Sequence, residues 1–309
     1  MSTRLPTAKL GRTGLRVARL GYGGADILMV PGGRSVTENQ VKTILNTALD
    51  SGINLIDTAN CYGRSEELIG KYISNRRSEY YLATKCGCTS LDEWRGKSSI
   101  HIWTKKNLAR CLDESLDRLK TDYVDLMQLH NPTVGECLRG ELVDTLKDMR
   151  NQGKVRSIGV STSIPDLPVF LEWDVFDQLQ IPYSALQREN EEWITKAAEM
   201  GIGTVIRGGV ARGEPGVGQG HTGNAKAMWR KFDEAKLDEL RENRESKTVF
   251  MLRFTLTHPD IHSTIVATIN QKHLQENVRA LLKGPLPADV YEESKRRLDA
   301  VGVKSAEAT

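Results

Sequence analysis

Short apolar runs alternate along the chain with longer segments in which apolar residues recur every three or four positions. The short runs are typical of buried strands, and the longer segments are typical of amphipathic helices. Eight strands are predicted in this way, at residues 19–23, 54–57, 81–85, 124–130, 157–160, 178–181, 204–206 and 264–266. Helical patterns lie between them, at residues 37–51, 65–75, 104–119, 140–152, 165–173, 191–200, 247–257 and 271–281. This alternation predicts parallel strands with helices packed against them.

The number of repeats separates two parallel architectures. Eight strand–helix repeats within about 250 residues is the size of a closed (β/α)₈ TIM barrel. An open doubly wound sheet would usually show G-x-G-x-x-G after its first strand. The first strand here ends with the run GYGGAD, from Gly21 to Asp26, which lacks that spacing. We therefore predict an α/β fold of the (β/α)₈ barrel type. A capping box between Thr37 and Gln40 is predicted to open the first of the intervening helices.

Three segments fall outside the repeat. Residues 8–17 predict a β-hairpin that turns at its glycines and caps the bottom of the barrel. Long loops are predicted at residues 86–103 and 208–229, and loops of such length usually have a function. One more helix is predicted at residues 287–301. Because no linker interrupts the pattern, residues 1–309 are interpreted as a single domain.

Composition narrows the class of protein. The chain has 309 residues, 39% apolar and 27% charged, with a net charge of +3, which is typical of a soluble globular protein. Its basic pairs lie in mixed-charge segments, so no nucleic-acid partner is predicted. No apolar run reaches about 18 residues, so no membrane span is predicted. The amino terminus lacks an apolar signal core, and five cysteines lack framework spacing, so we expect a cytoplasmic protein.

No metal site is predicted. Cys86 and Cys88 lie too close in sequence for a C-x-x-C site, and no group of His, Cys and Asp has the spacing of metal ligands.

Four polar residues lie at or just beyond the ends of predicted strands. Asp57, Lys85 and His130 end the second, third and fourth strands, and Tyr62 follows Asp57 by five residues. Because the carboxyl ends of barrel strands all face one rim, these side chains are expected to converge. Each residue alone also fits a structural role, such as an ion pair or a buried histidine. Four such groups on one rim favour a catalytic site.

Together the four side chains have the chemistry of an acid catalyst for a carbonyl. A tyrosine has an ordinary pKa near 10, too high for acid–base work at neutral pH. A lysine ammonium about 4 Å from the phenolate would stabilise it by about 4 kcal/mol, or roughly three pKa units at most. In this hypothesis Asp57 keeps Lys85 charged, and His130 orients the substrate oxygen while Tyr62 transfers a proton. Electrons would come from a cofactor such as a nicotinamide.

Several segments in order resemble the aldo-keto reductases over nearly the whole chain. They are the run LGRTGLRVARLG from Leu10, DTANCYGRSEE from Asp57, Lys85, HNP from His130, GKVRSIGVS from Gly153, and Glu276 with Asn277. The resemblance implies a (β/α)₈ barrel that binds NADPH, less often NADH, across its rim. It implies Tyr62 as the acid and base, Asp57 and Lys85 as the pair that tunes it, and His130 as the orienting residue.

The resemblance also implies cofactor contacts. Ser161 and Gln180 match residues that bind the nicotinamide carboxamide, Thr162 stands where the family usually has Asn, and Tyr183 matches the aromatic residue on which the nicotinamide stacks. The remaining matched positions are Arg207 and Arg212 for the pyrophosphate, Thr268, Lys272 and His273 near the 2′-phosphate, and Glu276 and Asn277 at the adenine. The segment around Lys272 lacks the family's usual proline and glycine, and NADPH is preferred over NADH only narrowly. The glycine-rich run from Gly213 to Gly220 is interpreted as a lid over the cofactor.

The sequence is compatible with more than one substrate and with two alternative functions. Candidate substrate contacts are Asp26, Trp94, Trp103 and Asn131, with Arg207 beside them. Two tryptophans among polar groups suit a sugar or another polyhydroxylated carbonyl compound. Reduction and oxidation are both possible with this site. A Schiff-base lyase that uses Lys85 as its nucleophile is one alternative. A non-catalytic, nicotinamide-binding redox-sensing subunit is another. The sequence does not give the oligomeric state.

Overall fold

The computed structural model describes residues 4–27, 36–89, 101–215 and 224–308. A closed barrel of eight parallel strands forms its centre, and a two-stranded antiparallel sheet precedes it. The strands are β1 (Thr7–Lys9), β2 (Arg16–Ala18), β3 (Leu20–Gly23), β4 (Leu55–Asp57), β5 (Tyr81–Cys86), β6 (Val124–His130), β7 (Val155–Ser161), β8 (Gln178–Pro182), β9 (Gly203–Arg207) and β10 (Ser263–Val266). Strands β3 to β10 pair in chain order, and β10 closes the ring by pairing with β3. The predicted (β/α)₈ barrel is confirmed.

Helices surround the barrel and bury one face each. They are α1 (Glu38–Asp50), α2 (Ser65–Ile73), α3 (Lys105–Leu119), α4 (Val134–Arg139), α5 (Leu142–Asn151), α6 (Leu167–Glu172), α7 (Glu191–Glu199), α8 (Asn224–Glu234), α9 (Lys247–Thr257), α10 (Gln271–Lys283) and α11 (Ala288–Ala300). The predicted capping box is present at the start of α1, where the Thr37 side chain accepts the Gln40 amide and the Gln40 side chain accepts the Thr37 amide. No helix within these ranges is long and apolar enough to cross a membrane.

Two helices were not predicted. The loop predicted at residues 208–229 is wrong over its last part, because α8 begins at Asn224. Helix α4 was also missed, although its own capping box, Thr133 with Glu136, is visible in the sequence. At six residues α4 is too short for helical periodicity to show it.

The amino-terminal hairpin, β1 with β2, covers one end of the barrel. Leu10 and Val17 are fully buried against the apolar residues of the inner barrel wall. The turn between β1 and β2 must lie close to β9, since a Cβ on Gly11 would come within 2.3 Å of the Gly203 nitrogen. Gly11 also has a φ of +46°, a conformation that glycine adopts with little strain.

The inner wall of the barrel changes from apolar to polar along the barrel axis. Near the hairpin it is apolar, with Leu55, Ala83, Leu126 and Val205 in one cluster with the hairpin residues. Towards the carboxyl ends of the strands it carries buried polar side chains, among them Asp57, Gln128 and Gln180. Buried polar groups require partners, and the partners of Asp57 define the candidate site.

Candidate active site

A buried ion pair joins two neighbouring strands at the carboxyl end of the barrel. Asp57 ends β4, and Lys85 lies in β5, which pairs with β4. The Lys85 Nζ atom is 2.5 Å from Asp57 Oδ1 and donates a second hydrogen bond to the Thr58 carbonyl at 2.9 Å. The side chains of Lys85 and Asp57 are 1% and 2% exposed. The position expected from strand spacing is therefore the one observed.

The second oxygen of Asp57 is also satisfied. Asp57 Oδ2 accepts hydrogen bonds from Gln128 Nε2 at 3.0 Å and from Gln180 Nε2 at 2.8 Å. Both oxygens of this buried carboxylate therefore have hydrogen-bond partners, as buried polar atoms require. Gln180 was expected to bind a nicotinamide carboxamide. Its amide nitrogen instead donates a hydrogen bond to Asp57, and its side chain also lines the adjoining cavity.

Tyr62 lies over this pair. The Lys85 Nζ atom is 5.0 Å from the centroid of the Tyr62 ring. Burial raises the pKa of Tyr62, and the charge of Lys85 offsets only part of that rise, so the net direction is upward. The expected net fall of the phenol pKa is therefore not found, and Tyr62 holds its proton at neutral pH. Burial is the largest single influence on Lys85 and lowers its pKa, but the charge and hydrogen bond of Asp57, together with Tyr62 and Cys61, give a net rise of the Lys85 pKa.

His130 ends β6 and stands edge-on to Tyr62, with ring centroids 5.8 Å apart and planes at 80°. Its Nδ1 atom faces two thiols, Cys61 Sγ at 3.4 Å and Cys88 Sγ at 3.2 Å. Sequence reasoning missed this group. The same argument about strand ends could have found it, because Cys61 precedes Tyr62 and Cys88 follows Lys85 by three residues.

A long cavity of about 1260 Å³ begins at Asp57 and Tyr62 and runs across the rim. Nine further residues of the expected cofactor and substrate set line it, namely Asp26, Gln180, Arg207, Arg212, Thr268, Lys272, His273, Glu276 and Asn277. The cavity is also lined by six residues that were not predicted as contacts. They lie in α1 and at the start of α9, and are Asn39, Gln40, Thr43, Ser246, Thr248 and Val249. The cavity is larger than most sites for drug-sized ligands.

Tyr183 is placed differently from the expectation. It follows β8 and is fully buried, with its ring 5.4 Å from that of His258 and 6.4 Å from that of Phe254. Its hydroxyl lies 3.4 Å from the Tyr291 hydroxyl. Tyr183 is absent from the cavity wall, because its apolar ring completes the packing between the barrel and the outer helices. The structure therefore does not bring it to a position for stacking on a cofactor.

Ser161 and Asn131 form a small polar cluster with Arg207. Ser161 Oγ donates to Asn131 Oδ1 at 2.8 Å, and Arg207 Nη2 donates to the same oxygen at 3.4 Å. Thr162 donates to the backbone carbonyl of Ser163 at 3.4 Å. Arg207 Nε is buried and has no partner among the described residues, and burial lowers the Arg207 pKa. A buried donor without a partner beside a cavity is a position where a ligand acceptor would be stabilised.

The two tryptophans expected near the substrate have different outcomes. Trp94 lies outside the described residues. Trp103 packs parallel to His101, with ring centroids 5.2 Å apart, and a Cβ on Gly87 would lie 2.0 Å from its ring. Trp103 thus covers the backbone at Gly87 and is not part of the cavity wall.

The far end of the cavity is basic. Helix α10 begins there, and Asn270 caps it by accepting the Lys272 amide at 2.9 Å. Lys272 and Arg212 are exposed, and His273 is half-buried. Within the described ranges neither Lys272 nor Arg212 forms an ion pair. Exposed cations beside a helix amino terminus are an arrangement that suits a phosphate group.

The chain is similar to known proteins across this whole architecture. The model of the aldo/keto reductase family matches residues 19–298. An uncharacterized oxidoreductase of Bacillus subtilis, YqkF, is 29% identical over 286 residues, covering 88% of this chain and 90% of that protein. L-galactose dehydrogenase of Arabidopsis thaliana is 26% identical over 299 residues, covering 90% and 89%. The solved structure of the aldo-keto reductase AKR11C1 from Bacillus halodurans, holo form, superposes with a TM-score of 0.82 at 26% identity, covering 99% of each chain.

Proposed function

The chain belongs to the aldo/keto reductase family, and we propose that it is an NAD(P)H-dependent oxidoreductase that interconverts a carbonyl compound and an alcohol. The observation that carries this proposal is the buried pair of Asp57 and Lys85 beside Tyr62, where Asp57 and Tyr62 line a large cavity. Fixed charges under a phenol stabilise the charge that develops when its proton moves.

The cavity fits a nicotinamide dinucleotide. Arg207 offers a buried Nε without a partner among the described residues, and Arg212 lies close enough to interact with the Arg207 charge. Lys272 supplies positive charge at the start of α10, with the His273 imidazole beside it. Asn277 is buried in the wall near the end of the cavity and suits the adenine. When bound, the nicotinamide supplies or accepts the hydride.

Tyr62 is assigned as the group that moves the proton. In reduction its hydroxyl donates to the substrate oxygen, and the ammonium of Lys85 then stabilises the phenolate that remains. Asp57, held by Gln128 and Gln180, keeps Lys85 protonated. In oxidation the same residues act in reverse, with the Tyr62 phenolate as the base.

His130 is assigned as the second donor to the substrate oxygen. Its Nδ1 faces the thiols of Cys61 and Cys88. A thiol that donates to Nδ1 leaves the proton of the neutral ring on Nε2. That tautomer provides an N–H for the substrate oxygen, which a carbonyl acceptor requires.

NADP(H) is proposed as the preferred cofactor over NAD(H). Lys272 and His273 lie at the start of α10, where the helix dipole adds to the positive charge of Lys272 and the His273 imidazole can donate a hydrogen bond. The 2′-phosphate of NADPH would be stabilised by this positive charge, whereas NADH has no phosphate at that position.

A polyhydroxylated carbonyl compound is proposed as the substrate class. Asp26 is half-buried in the cavity wall and provides a carboxylate for hydroxyl groups. A relative that covers most of the chain is a dehydrogenase of L-galactose, which is a sugar. These two observations favour sugars over purely aromatic aldehydes.

A Schiff-base lyase is disfavoured by the surroundings of Lys85. A nucleophilic amine must lose its proton. Lys85 is instead held as an ammonium by Asp57 and by the Thr58 carbonyl, and its pKa is raised. Its side chain is also almost fully buried, which leaves no room for attack on a substrate carbonyl.

The test combines cofactor binding with turnover. Fluorescence titrations with NADPH and NADH should show binding of both, with NADPH the tighter ligand. Turnover should then be measured on a panel of aldehydes, ketones and sugars, and oxidation on the matching alcohols. Tight binding without turnover on any member would instead favour a redox-sensing subunit. Trapping of a keto substrate on Lys85 by borohydride, seen by peptide mass spectrometry, would overturn the reductase assignment.

A further inference from the structure

Three side chains with soft or nitrogen donor atoms meet beside Tyr62. Cys61 comes from the loop between β4 and α2, Cys88 follows β5, and His130 ends β6. Their ligand atoms, two Sγ and one imidazole nitrogen, all lie within 4.8 Å of one another. Cys61 and Cys88 are 6% and 0% exposed, and His130 is half-buried. These residues are distant in sequence, and the parallel pairing of β4 with β5 and of β5 with β6 brings them together.

The separations match those of a tetrahedral metal centre. Zinc bonds thiolate sulfur at about 2.3 Å and imidazole nitrogen at about 2.0–2.1 Å, so tetrahedral ligands have S···N separations of about 3.5 Å. The observed S···N separations at His130 Nδ1 are 3.4 Å and 3.2 Å. Each sulfur would need to move away from the imidazole nitrogen by only a few tenths of an ångström, and the two sulfurs lie within 4.8 Å of each other. Preorganisation of this kind lowers the cost of ion binding.

The donor set selects the class of ion. Two thiolates and one imidazole favour Zn²⁺ and other thiophilic ions over Mg²⁺ or Ca²⁺, which prefer oxygen. Two thiolates also neutralise the charge of a divalent ion, so the complex carries no net charge in a buried position. Three protein ligands leave a fourth tetrahedral position for water, as in zinc sites that are not closed.

We propose that Cys61, Cys88 and His130 form a binding site for one thiophilic divalent cation of the Zn²⁺ type. The ion is coordinated by the two sulfurs and by His130 Nδ1. Two thiol protons pass to solvent on binding, and no group is oxidised or reduced. With Nδ1 coordinated, the proton of the His130 ring resides on Nε2, so ion binding fixes the same tautomer that the carbonyl reaction requires.

Cobalt provides the most direct test on the full-length, reduced protein. Co²⁺ should bind at one ion per chain and produce a thiolate-to-cobalt charge-transfer band together with intense visible bands typical of tetrahedral coordination. Zn²⁺ should abolish these bands by displacement, whereas excess Mg²⁺ should leave them unchanged. No charge-transfer band at stoichiometric Co²⁺ would overturn the proposal.

Variants assign the ligands. Cys61→Ser and Cys88→Ser should each weaken Co²⁺ binding by more than about tenfold, and the double variant should lose the charge-transfer band. Cys137→Ser is the matched control, because Cys137 is another buried free thiol, lies on α4 and is not in the cluster. A band that persists in the double variant, or that disappears in Cys137→Ser, would contradict the assignment. Circular dichroism checks that each variant is folded.

Thiol labelling of the wild-type chain gives an answer even if the serine variants do not fold. Zn²⁺ should slow alkylation of Cys61 and Cys88 in peptide mass spectra and leave the rates at Cys86, Cys111 and Cys137 unchanged. Equal rates with and without Zn²⁺ at the first two cysteines would overturn the proposal. None of these measurements uses turnover, so failure of the metal site and failure of the reductase assignment are distinguishable.

Discussion

The two ends of the cavity are built in different ways. At the Tyr62 end, the charges are paired inside the protein: Lys85 with Asp57 at 2.5 Å, and Asp57 with the amides of Gln128 and Gln180. At the α10 end, Lys272 is exposed and forms no ion pair within the described residues. The buried pair of Asp57 and Lys85 is complete without a ligand, whereas Lys272 gains a partner only from a ligand.

This difference has consequences for energetics. Burying an ion pair costs several kcal/mol of hydration, which good geometry and added hydrogen bonds offset. The arrangement under Tyr62 is therefore part of the folded state, and its side chains have little freedom. Exposed cations such as Lys272 keep their hydration and mobility until an anion arrives. Substitutions at the first end should change chemistry and stability, and substitutions at the second end should change affinity alone.

The largest effect is expected on turnover, for the variant Tyr62→Phe. This change removes the hydroxyl but keeps the ring, so it deletes proton transfer and leaves packing intact. We expect turnover to fall by about 10²–10⁴-fold, the usual contribution of a positioned acid or base. Steady-state rates with the best substrate of the panel provide the measurement.

Cofactor affinity is the control for Tyr62→Phe. Because the hydroxyl acts on the substrate oxygen, the dissociation constants of NADPH and NADH should stay within a few-fold of those of the wild type. Lost cofactor binding with unchanged turnover per bound cofactor would contradict the role assigned to Tyr62.

The next largest effect is expected for Lys85→Met, measured as stability. Methionine fills a similar volume but leaves Asp57 as a buried charge without its cation. Breaking a buried pair in this way typically costs about 3–5 kcal/mol. The hydrogen bonds from Gln128 and Gln180 remain, so a loss near 3 kcal/mol is expected in urea unfolding. The double variant Asp57→Asn/Lys85→Met should lose less than Lys85→Met alone, because no uncompensated charge remains.

The pH dependence of that stability has a defined sign. The folded state raises the Lys85 pKa above its ordinary value of 10.5. The stabilisation that follows is present below about pH 10.5 and is lost as the pH rises through the raised value. The stability difference between the wild type and the double variant should therefore be constant near neutrality and shrink only in strong alkali. A difference that shrinks between pH 6 and pH 8 would show that another group, such as a histidine, controls it.

Most of the barrel and the convergence at Tyr62 could be predicted from sequence. The apolar runs identify the eight barrel strands, since a buried parallel strand must be apolar on both faces. The end of each run also identifies the rim position of Asp57, Lys85 and His130. These inferences need only local patterns and the rule that carboxyl ends of barrel strands face one rim.

Side-chain direction beyond a strand end could not be predicted in the same way. Tyr183 follows β8 directly, but it points into the packing around His258 and Phe254 instead of the cavity. In the sequence, Cys88 was compared only with Cys86, its neighbour two residues away, whereas its proximity to Cys61 depends on the pairing of β4 with β5. Burial likewise outweighs Lys85 in the pKa of Tyr62, and burial is known only once the fold is known.

The smallest effect is expected at the other end of the cavity, for Lys272→Ala. Loss of one exposed cation beside a phosphate should weaken NADPH binding by about tenfold, or about 1.4 kcal/mol. Binding of NADH, which lacks that phosphate, should change by much less. Fluorescence titrations of both cofactors measure the ratio, and Arg279→Ala is the matched control, since Arg279 lies on the same helix but not in the cavity wall.

The salt dependence of the Lys272→Ala effect would sharpen the contrast between the two ends. An exposed charge is screened over about 10 Å at 0.1 M salt, so the preference for NADPH should diminish as salt is added. The buried pair of Asp57 and Lys85 is screened far less, and the loss of stability in Lys85→Met should persist under the same conditions. Equal weakening of NADPH and NADH binding in Lys272→Ala would mean that Lys272 contacts a part common to both cofactors. The α10 end would then hold the pyrophosphate or ribose, and Arg212 would become the candidate for discrimination between the two.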